Sequence, residues 1–239
     1  MKRLILQVDI KLEDHTGFKR YKPVESLYRI SEHQARLFAE KWKVDYFKVT
    51  DCDFLPGKHP TYQRLKMYDL DYDQILYLDM DAIVLPACPN PFDLFADQRF
   101  SAVRNHDWDK KTEKTEKYRK EMCETYGAND DYRGFCGGVM LIRRDFLDLT
   151  RDQWKQYINT FDKKGERDQG IYNKMVINLG GVYNELDEKW GAWYRAGTYI
   201  DHLGGPFRKF NFNEDKYLRK NNISIQKENS LLNFYDTEI

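Results

Sequence analysis

The sequence predicts an α/β protein, with a mainly parallel central sheet flanked by helices, in a single domain. Three observations predict it. Apolar stretches of strand length alternate with segments whose apolar residues recur at helical spacing. At 239 residues the chain is long enough for one full core, and no repeat, low-complexity tract or Gly/Ser linker divides it. Hydrophobic residues make up 41% and charged residues 33%, an ordinary core under a well-solvated surface, which excludes global disorder.

Residues 3–10 open on Leu4, Ile5 and Leu6 and read as the first strand. Two cations precede it, but the apolar run is shorter than the ~7–15 residues a secretion signal needs. Residues 24–43 carry Leu27, Ile30, Ala35, Phe38, Ala39 and Trp42 at helical spacing, with Ser31 as a cap for the second half. Residues 44–50 (VDYFKVT) alternate like a strand, and 51–60 hold Pro56-Gly57 and Pro60, a turn-rich loop. Residues 61–70 read as helix. Residues 74–78 (QILYL) form a buried-strand run that ends on Asp79 and Asp81. Residues 82–85 follow, and Pro86, Pro89 and Pro91 then break regular structure. Residues 100–104 are a short strand. Residues 107–124, dense in both charge signs, read as a solvated helix or flap. Residues 138–143 (GVMLIR) are a strand, 150–161 a helix, a further helix starts near Asp168, and 199–205 form a late strand and loop. The domain is assigned to residues 1–210. Residues 211–239, polar with a few apolar anchors, are expected to be a C-terminal extension packing on or near the site.

Composition excludes several functions. Lys+Arg and Asp+Glu are both 39, so the net charge is zero, which argues against a nucleic-acid partner held by bulk charge. No apolar run approaches the ~18–20 residues of a membrane span. Cys52, Cys88, Cys123 and Cys136 are scattered without a C-x-x-C pair, so a reducing, cytoplasmic compartment is expected and a structural zinc is not. The 15% aromatic content serves either core packing or a cleft that stacks rings.

The sharpest chemical feature is Ile75-Leu76-Tyr77-Leu78-Asp79-Met80-Asp81. In an extended chain residues i and i+2 point the same way, so Asp79 and Asp81 put two carboxylates in one spot at a strand's carboxyl end. Open α/β sheets bind ligands there. Two clustered carboxylates fit a hard divalent cation, Mg²⁺ or Mn²⁺; a pair of turn aspartates capping a helix is the other reading. The second feature is His202-Leu203-Gly204-Gly205-Pro206-Phe207-Arg208-Lys209. Its glycines allow backbone close to a phosphate, its cations neutralise phosphate oxygens, and its imidazole completes a metal shell, favouring Mn²⁺. Alone, this stretch reads as a surface loop; with the aspartates it points to a metal–diphosphate site. Arg64, on the segment before the D-x-D strand, either reaches phosphate or sugar or lies on a solvated helix face. Cys136, Gly137 and Gly138 open a buried strand and either leave room for a ligand or make a tight turn. Asp168 and Gln169 at a helix start either cap it or bind hydroxyls.

Taken in order, these motifs resemble the GT-A, Rossmann-like glycosyltransferases of glycosyltransferase family 8. Residues 62–84 are similar to Y-A-R/K-L-x-x…Y-x-x-x-L-Y-L-D-x-D-x-x-V, residues 134–142 to F-N-A/S-G-V-M-L-I, residues 168–173 to D-Q-D-x-L-N, and residues 202–210 to H-Y-x-G-x-x-K-P-W. The resemblance implies a nucleoside-diphosphate-sugar donor, a UDP-hexose by expectation, and transfer to an acceptor hydroxyl with anomeric retention. It implies Mn²⁺, or Mg²⁺, held by Asp79, Asp81 and His202, with Met80 between the two acids in the donor site. It puts Arg64 near the donor sugar and phosphates, and Asp168 and Gln169 on the transferred sugar. Gly205 with Arg208 or Lys209 falls on the diphosphate, and Gln7, Val8 and Asp9 on base and ribose. Cys136 replaces the family's sugar-contacting Asn, Gly170 the second Asp of D-Q-D, and Leu203 the Tyr; these departures cluster around the donor sugar.

Two other classes compete. A sugar-1-phosphate nucleotidyltransferase opens with a Gly-rich loop after its first strand, whereas residues 7–17 hold one glycine, Gly17. A non-catalytic nucleotide-sugar or carbohydrate-binding module with a decayed site fits poorly with intact Asp79, Asp81 and His202.

Overall fold

The structure, a computed structural model, describes residues 1–10, 22–105, 113, 116, 120, 123–125, 127–128, 132–164, 167–191, 197–203 and 212–225. Its strands are β1 (Arg3–Val8), β2 (Asp45–Val49), β3 (Gln74–Leu78), β4 (Ala82–Val84), β5 (Phe100–Arg104), β6 (Phe135–Arg143), β7 (Asn184–Leu186) and β8 (Ile200–His202). Six of them form one sheet in the order β2-β1-β3-β6-β5-β7. β1 pairs parallel with β2 and β3, and β5 parallel with β7; β6 runs antiparallel between β3 and β5. The sheet is therefore mainly parallel, with one reversed strand.

Strand pleating explains why these segments are apolar almost throughout. In β1, Leu4 and Leu6 face one side and Ile5 the other; in β3, Ile75 and Tyr77 oppose Leu76 and Leu78; in β6, Met140 and Ile142 oppose Val139 and Leu141. Each set enters a separate core layer, so the central strands are covered on both faces. Complete burial of each such side chain stabilises by roughly 1.5–3 kcal/mol. On one face lie the 3₁₀ helix Pro60–Tyr68 and the helices Arg144–Thr150, Trp154–Lys164 and Arg167–Asn178, here α3, α4 and α5. α1 (Lys22–Trp42) covers the other face through Ala35, Phe38, Ala39 and Trp42. The short helix α2 (Pro91–Leu94) follows β4.

A two-stranded sheet, β4 against β8, stands apart from the main one and pairs Ala82 with His202. It rests on a third cluster in which Leu27, Ile30, Ile83, Leu85 and Leu203 meet Phe212, Tyr217 and Ile223. The last three come from the C-terminal segment, which forms α6 (Glu214–Lys220) and fastens Tyr217 Oη to Asp201 Oδ2 at 2.9 Å. No helix among the described residues is long and apolar enough to cross a membrane.

Several expectations needed correction. The segment expected as helix over 61–70 is a 3₁₀ helix, opened by Pro60 and by the His59 ring accepting from the Thr61 amide. The helix expected over 150–161 starts at Trp154 as α4, after a turn over 151–153, and is preceded by α3, which was not expected. Short β7, built from N-E-L, carried no periodic signal. Most of 107–124 and much of 211–239 lie outside the described residues, as do Gly205, Arg208 and Lys209.

Candidate active site

The carboxyl ends of β1 and β3 and the amino end of reversed β6 share one edge of the sheet, because Leu78 pairs with Val139. Asp79 follows directly, and its amide donates to the Gly138 carbonyl at 2.8 Å. The D-x-D pair was expected in extended chain. Instead it sits in a turn closed by the Ala82 amide donating to the Asp79 carbonyl at 2.9 Å. The turn arises because β4 leaves the main sheet to join β8, and aspartate suits turns by bonding nearby backbone. The Ala82–His202 pairing, with the Leu203 amide donating to the Asp81 carbonyl at 2.7 Å, then brings the imidazole to the two acids.

His202 Nε2 lies 3.3 Å from Asp81 Oδ1 and 3.6 Å from Asp79 Oδ2. One ligand atom from each of the three lies within 4.8 Å of the others. Space for this convergence comes from Gly138. A Cβ there would meet His202 Cε1 at 2.2 Å, Nε2 at 2.5 Å and Asp79 Oδ2 at 2.9 Å. Any side chain on that residue would run into the His202 ring and the Asp79 carboxylate.

Arg64 lies beside Asp79. It was read either as a ligand contact or as part of a solvated helix face; at 5% exposure it is no solvated face. Neighbours enclose the 3₁₀ helix, which buries Tyr62, Gln63, Leu65, Met67 and Tyr68 as well. The guanidinium ion-pairs through Nε with Asp168, donates from Nη1 to the Gly137 carbonyl at 2.5 Å, and places Nη2 3.5 Å from Asp79 Oδ1. It also stacks over the Tyr77 ring at 4.4 Å. Gln169 Oε1 accepts from the Gly137 amide at 3.2 Å. Thus Arg64, Asp168, Gln169, Gly137 and Asp79 form one connected group.

Sequence reasoning missed two residues. Tyr77, fully buried, donates its hydroxyl to Asp79 Oδ1 at 2.7 Å and leaves Oδ2 toward His202. Its position two before Asp79 on the strand was the available signal. Asn173 accepts from the Tyr132 hydroxyl at 2.7 Å and the Phe135 amide at 3.3 Å, and donates to the Gln169 carbonyl at 2.9 Å. It ties α5 to the start of β6, and helical i,i+4 spacing from Gln169 pointed to it.

Of the base-and-ribose candidates, Gln7 is wholly enclosed. Its amide donates to Ser31 Oγ at 3.0 Å and accepts from the Tyr46 hydroxyl at 2.9 Å, so it serves the packing of α1 and β2 on β1. Val8 and Asp9 are half-buried, with Asp9 Oδ2 4.0 Å from Lys48 Nζ. Met80 is buried. Cys136 is half-buried, with Sγ 3.8 Å from His202 Nδ1.

The electrostatics favour a divalent cation. With a neutral imidazole, the carboxylates of Asp79, Asp81 and Asp168 outnumber the Arg64 guanidinium, which pairs with Asp79 and Asp168, by two charges. Burial by itself would raise the Asp79 carboxyl, but Arg64 and the His202 bond hold it below the ordinary aspartate value. Burial also works against charge on His202. Cys136, Asp79 and Asp81 outweigh it and raise its pKa well above the ordinary value. In the absence of an ion the acids thus favour the charged form of the imidazole. A donor set of two carboxylates and one imidazole, with the room Gly138 leaves, fits Mn²⁺ and, less well, Mg²⁺.

No protein-family model matches the chain, and no curated protein sequence does. Solved structures do match. Galactosyltransferase LgtC, in complex with donor and acceptor sugar analogs, aligns at a TM-score of 0.56 and 14% identity, over 94% of this chain and 98% of that one. An active-site mutant of LgtC aligns at 0.54 and 16%, over 85% and 88%. A glycosyltransferase involved in glycosylation of the major capsid of PBCV-1 aligns at 0.51 and 11%, over 92% and 100%. Over nearly its whole length, therefore, this chain has the GT-A fold of the glycosyltransferases.

Proposed function

We propose that this protein is a metal-dependent glycosyltransferase that moves a hexose from a nucleoside-diphosphate-sugar, UDP-hexose by preference, to an acceptor hydroxyl with retention of anomeric configuration. One observation carries the proposal: His202, far along the chain, converges with Asp79 and Asp81 where Gly138 leaves space. The GT-A fold, shared with a galactosyltransferase solved with donor and acceptor sugar analogs, supports it.

Asp79, Asp81 and His202 would hold Mn²⁺ or Mg²⁺, which supplies positive charge for the diphosphate as the anomeric C–O bond breaks. Arg64 is preorganised by Asp168 and the Gly137 carbonyl, so it offers fixed charge to the leaving group without reorganising. Gln169 and Asp168 stand beside it and are assigned to the sugar hydroxyls. In the same reading Val8 and Asp9 are assigned to the nucleoside, and Gly205 with Arg208 or Lys209 to the diphosphate. No side chain at the site is assigned as general base; a departing phosphate oxygen takes the acceptor's proton. The four cysteines, present as thiols, fit work in the cytoplasm.

The test is donor turnover. The protein is incubated with UDP- and GDP-sugars and Mn²⁺, and nucleotide release is followed with and without chelator. Release from one donor, abolished by chelator and lowered about 10²–10³-fold in Asp81→Ala, is expected. No release from any donor, with or without metal, overturns the proposal.

A further inference from the structure

An imidazole that ligates a metal through one ring nitrogen must carry its proton on the other, and an acceptor for that N–H fixes the tautomer and the ring's orientation. His202 turns Nε2 toward Asp79 and Asp81, so the nitrogen that needs an acceptor is Nδ1. Among the described residues, Cys136 Sγ lies against Nδ1, at 3.8 Å.

The placement follows from β6. Cys136 and Gly138 are two apart on that strand, whose register against β5 shifts there, and both meet the His202 ring. Gly138, lacking a side chain, admits the Cε1–Nε2 edge of the ring, and Cys136 meets the Nδ1 edge. Turning the ring over would present carbon to both the sulfur and the acids. The acids and the sulfur therefore select the same orientation. Cys136 stands where the family resemblance puts a sugar-contacting Asn, yet its sulfur lies against the imidazole.

We propose that Cys136 is a positioning residue for the metal centre: its sulfur accepts the Nδ1–H of His202 and so keeps Nε2 directed at the ion held with Asp79 and Asp81. This rests on the metal-site reading given above. It implies that loss of the sulfur weakens metal binding through His202, with no ligand removed.

The test separates acceptor from volume. Mn²⁺ dissociation constants are measured by the electron paramagnetic resonance of free Mn²⁺ for the wild type, Cys136→Val, which keeps bulk without an acceptor, and Cys136→Ser, which keeps an acceptor in less bulk. Folding is checked by circular dichroism. Cys136→Val is expected to bind Mn²⁺ about 10–100-fold more weakly, with Cys136→Ser recovering most of the loss. In the protein loaded with diamagnetic Zn²⁺, the Nδ1–H resonance of His202 should be protected from exchange in the wild type and lost in Cys136→Val. Equal Mn²⁺ affinity in Cys136→Val and wild type overturns the proposal, as does an equal loss in both variants. If the wild type itself binds no Mn²⁺, the metal reading fails first, and this inference falls with it.

Discussion

Replacing Gly138 with alanine tests the packing of the metal centre with a single methyl group. The added Cβ would stand 2.2 Å from His202 Cε1 and 2.5 Å from Nε2. The closer contact is about 1.3 Å short of the roughly 3.5 Å at which carbon atoms pack. Neither side can yield freely. The imidazole is 7% exposed and its residue pairs with Ala82 in β4, while Gly138 lies in β6 between β3 and β5. The ring must therefore retreat by about 1 Å from the acids, a misplacement of the size that costs about 10²-fold in rate. Overpacking should cost about 1–3 kcal/mol of stability, a fall in Tm of a few degrees for a chain this long. Mn²⁺ affinity by calorimetry, donor turnover and thermal melting check the three consequences. Gly137→Ala is the comparison: its Cβ would meet the Arg64 Nη1 side-chain terminus at 2.9 Å and leave His202 alone, so it should disturb turnover through Arg64 and spare the imidazole. Wild-type Mn²⁺ affinity in Gly138→Ala would refute the reasoning, since the methyl group and the ion cannot share that space with His202.

Tyr77→Phe removes the hydroxyl that orients Asp79, and should weaken Mn²⁺ binding about 10-fold and stability by about 1 kcal/mol, read by calorimetry and denaturant melts. Arg64→Met leaves Asp168 and Asp79 without their buried cation and should cost about 3–5 kcal/mol, part of which Asp168→Asn restores in the double variant. The raised His202 pKa sets a pH dependence of definite sign. Without metal, the charged imidazole stabilises the fold fully below the ordinary histidine pKa of about 6.5, and that contribution disappears as pH rises through the raised folded value. Mn²⁺ must displace this proton, so its affinity should climb about tenfold per pH unit below the folded pKa and level off above it. A metal affinity that ignores pH in calorimetric titrations contradicts the assignment of His202 as a ligand.

Much of the sheet was legible because its central strands are buried on both faces. Gln74–Leu78 and Phe100–Arg104 have the bounds expected of them, since short, mainly apolar runs flanked by polar residues read as strands buried on both faces. Asn184–Leu186 was not legible. Its three residues are a strand because β5 offers an edge, a long-range cause with no local pattern. The site divides the same way. Asp79, Asp81 and His202 were recognisable as ligand types, but the Ala82–His202 pairing that unites them spans about half the chain. The burial of Arg64 was hidden because a helix enclosed by neighbours presents no exposed face to read. Gln7 looked available at a strand end, yet Ser31 and Tyr46 take up its amide.

The central claim is that one divalent ion is shared by Asp79, Asp81 and His202 and meets a nucleoside diphosphate there. The most direct measurement is anomalous diffraction from crystals soaked with Mn²⁺ and UDP. One anomalous peak bonded by an oxygen of each aspartate and by His202 Nε2, with diphosphate oxygens completing its shell, is the expected result. Mn²⁺ bound elsewhere with UDP present, and none among these three side chains, contradicts the account.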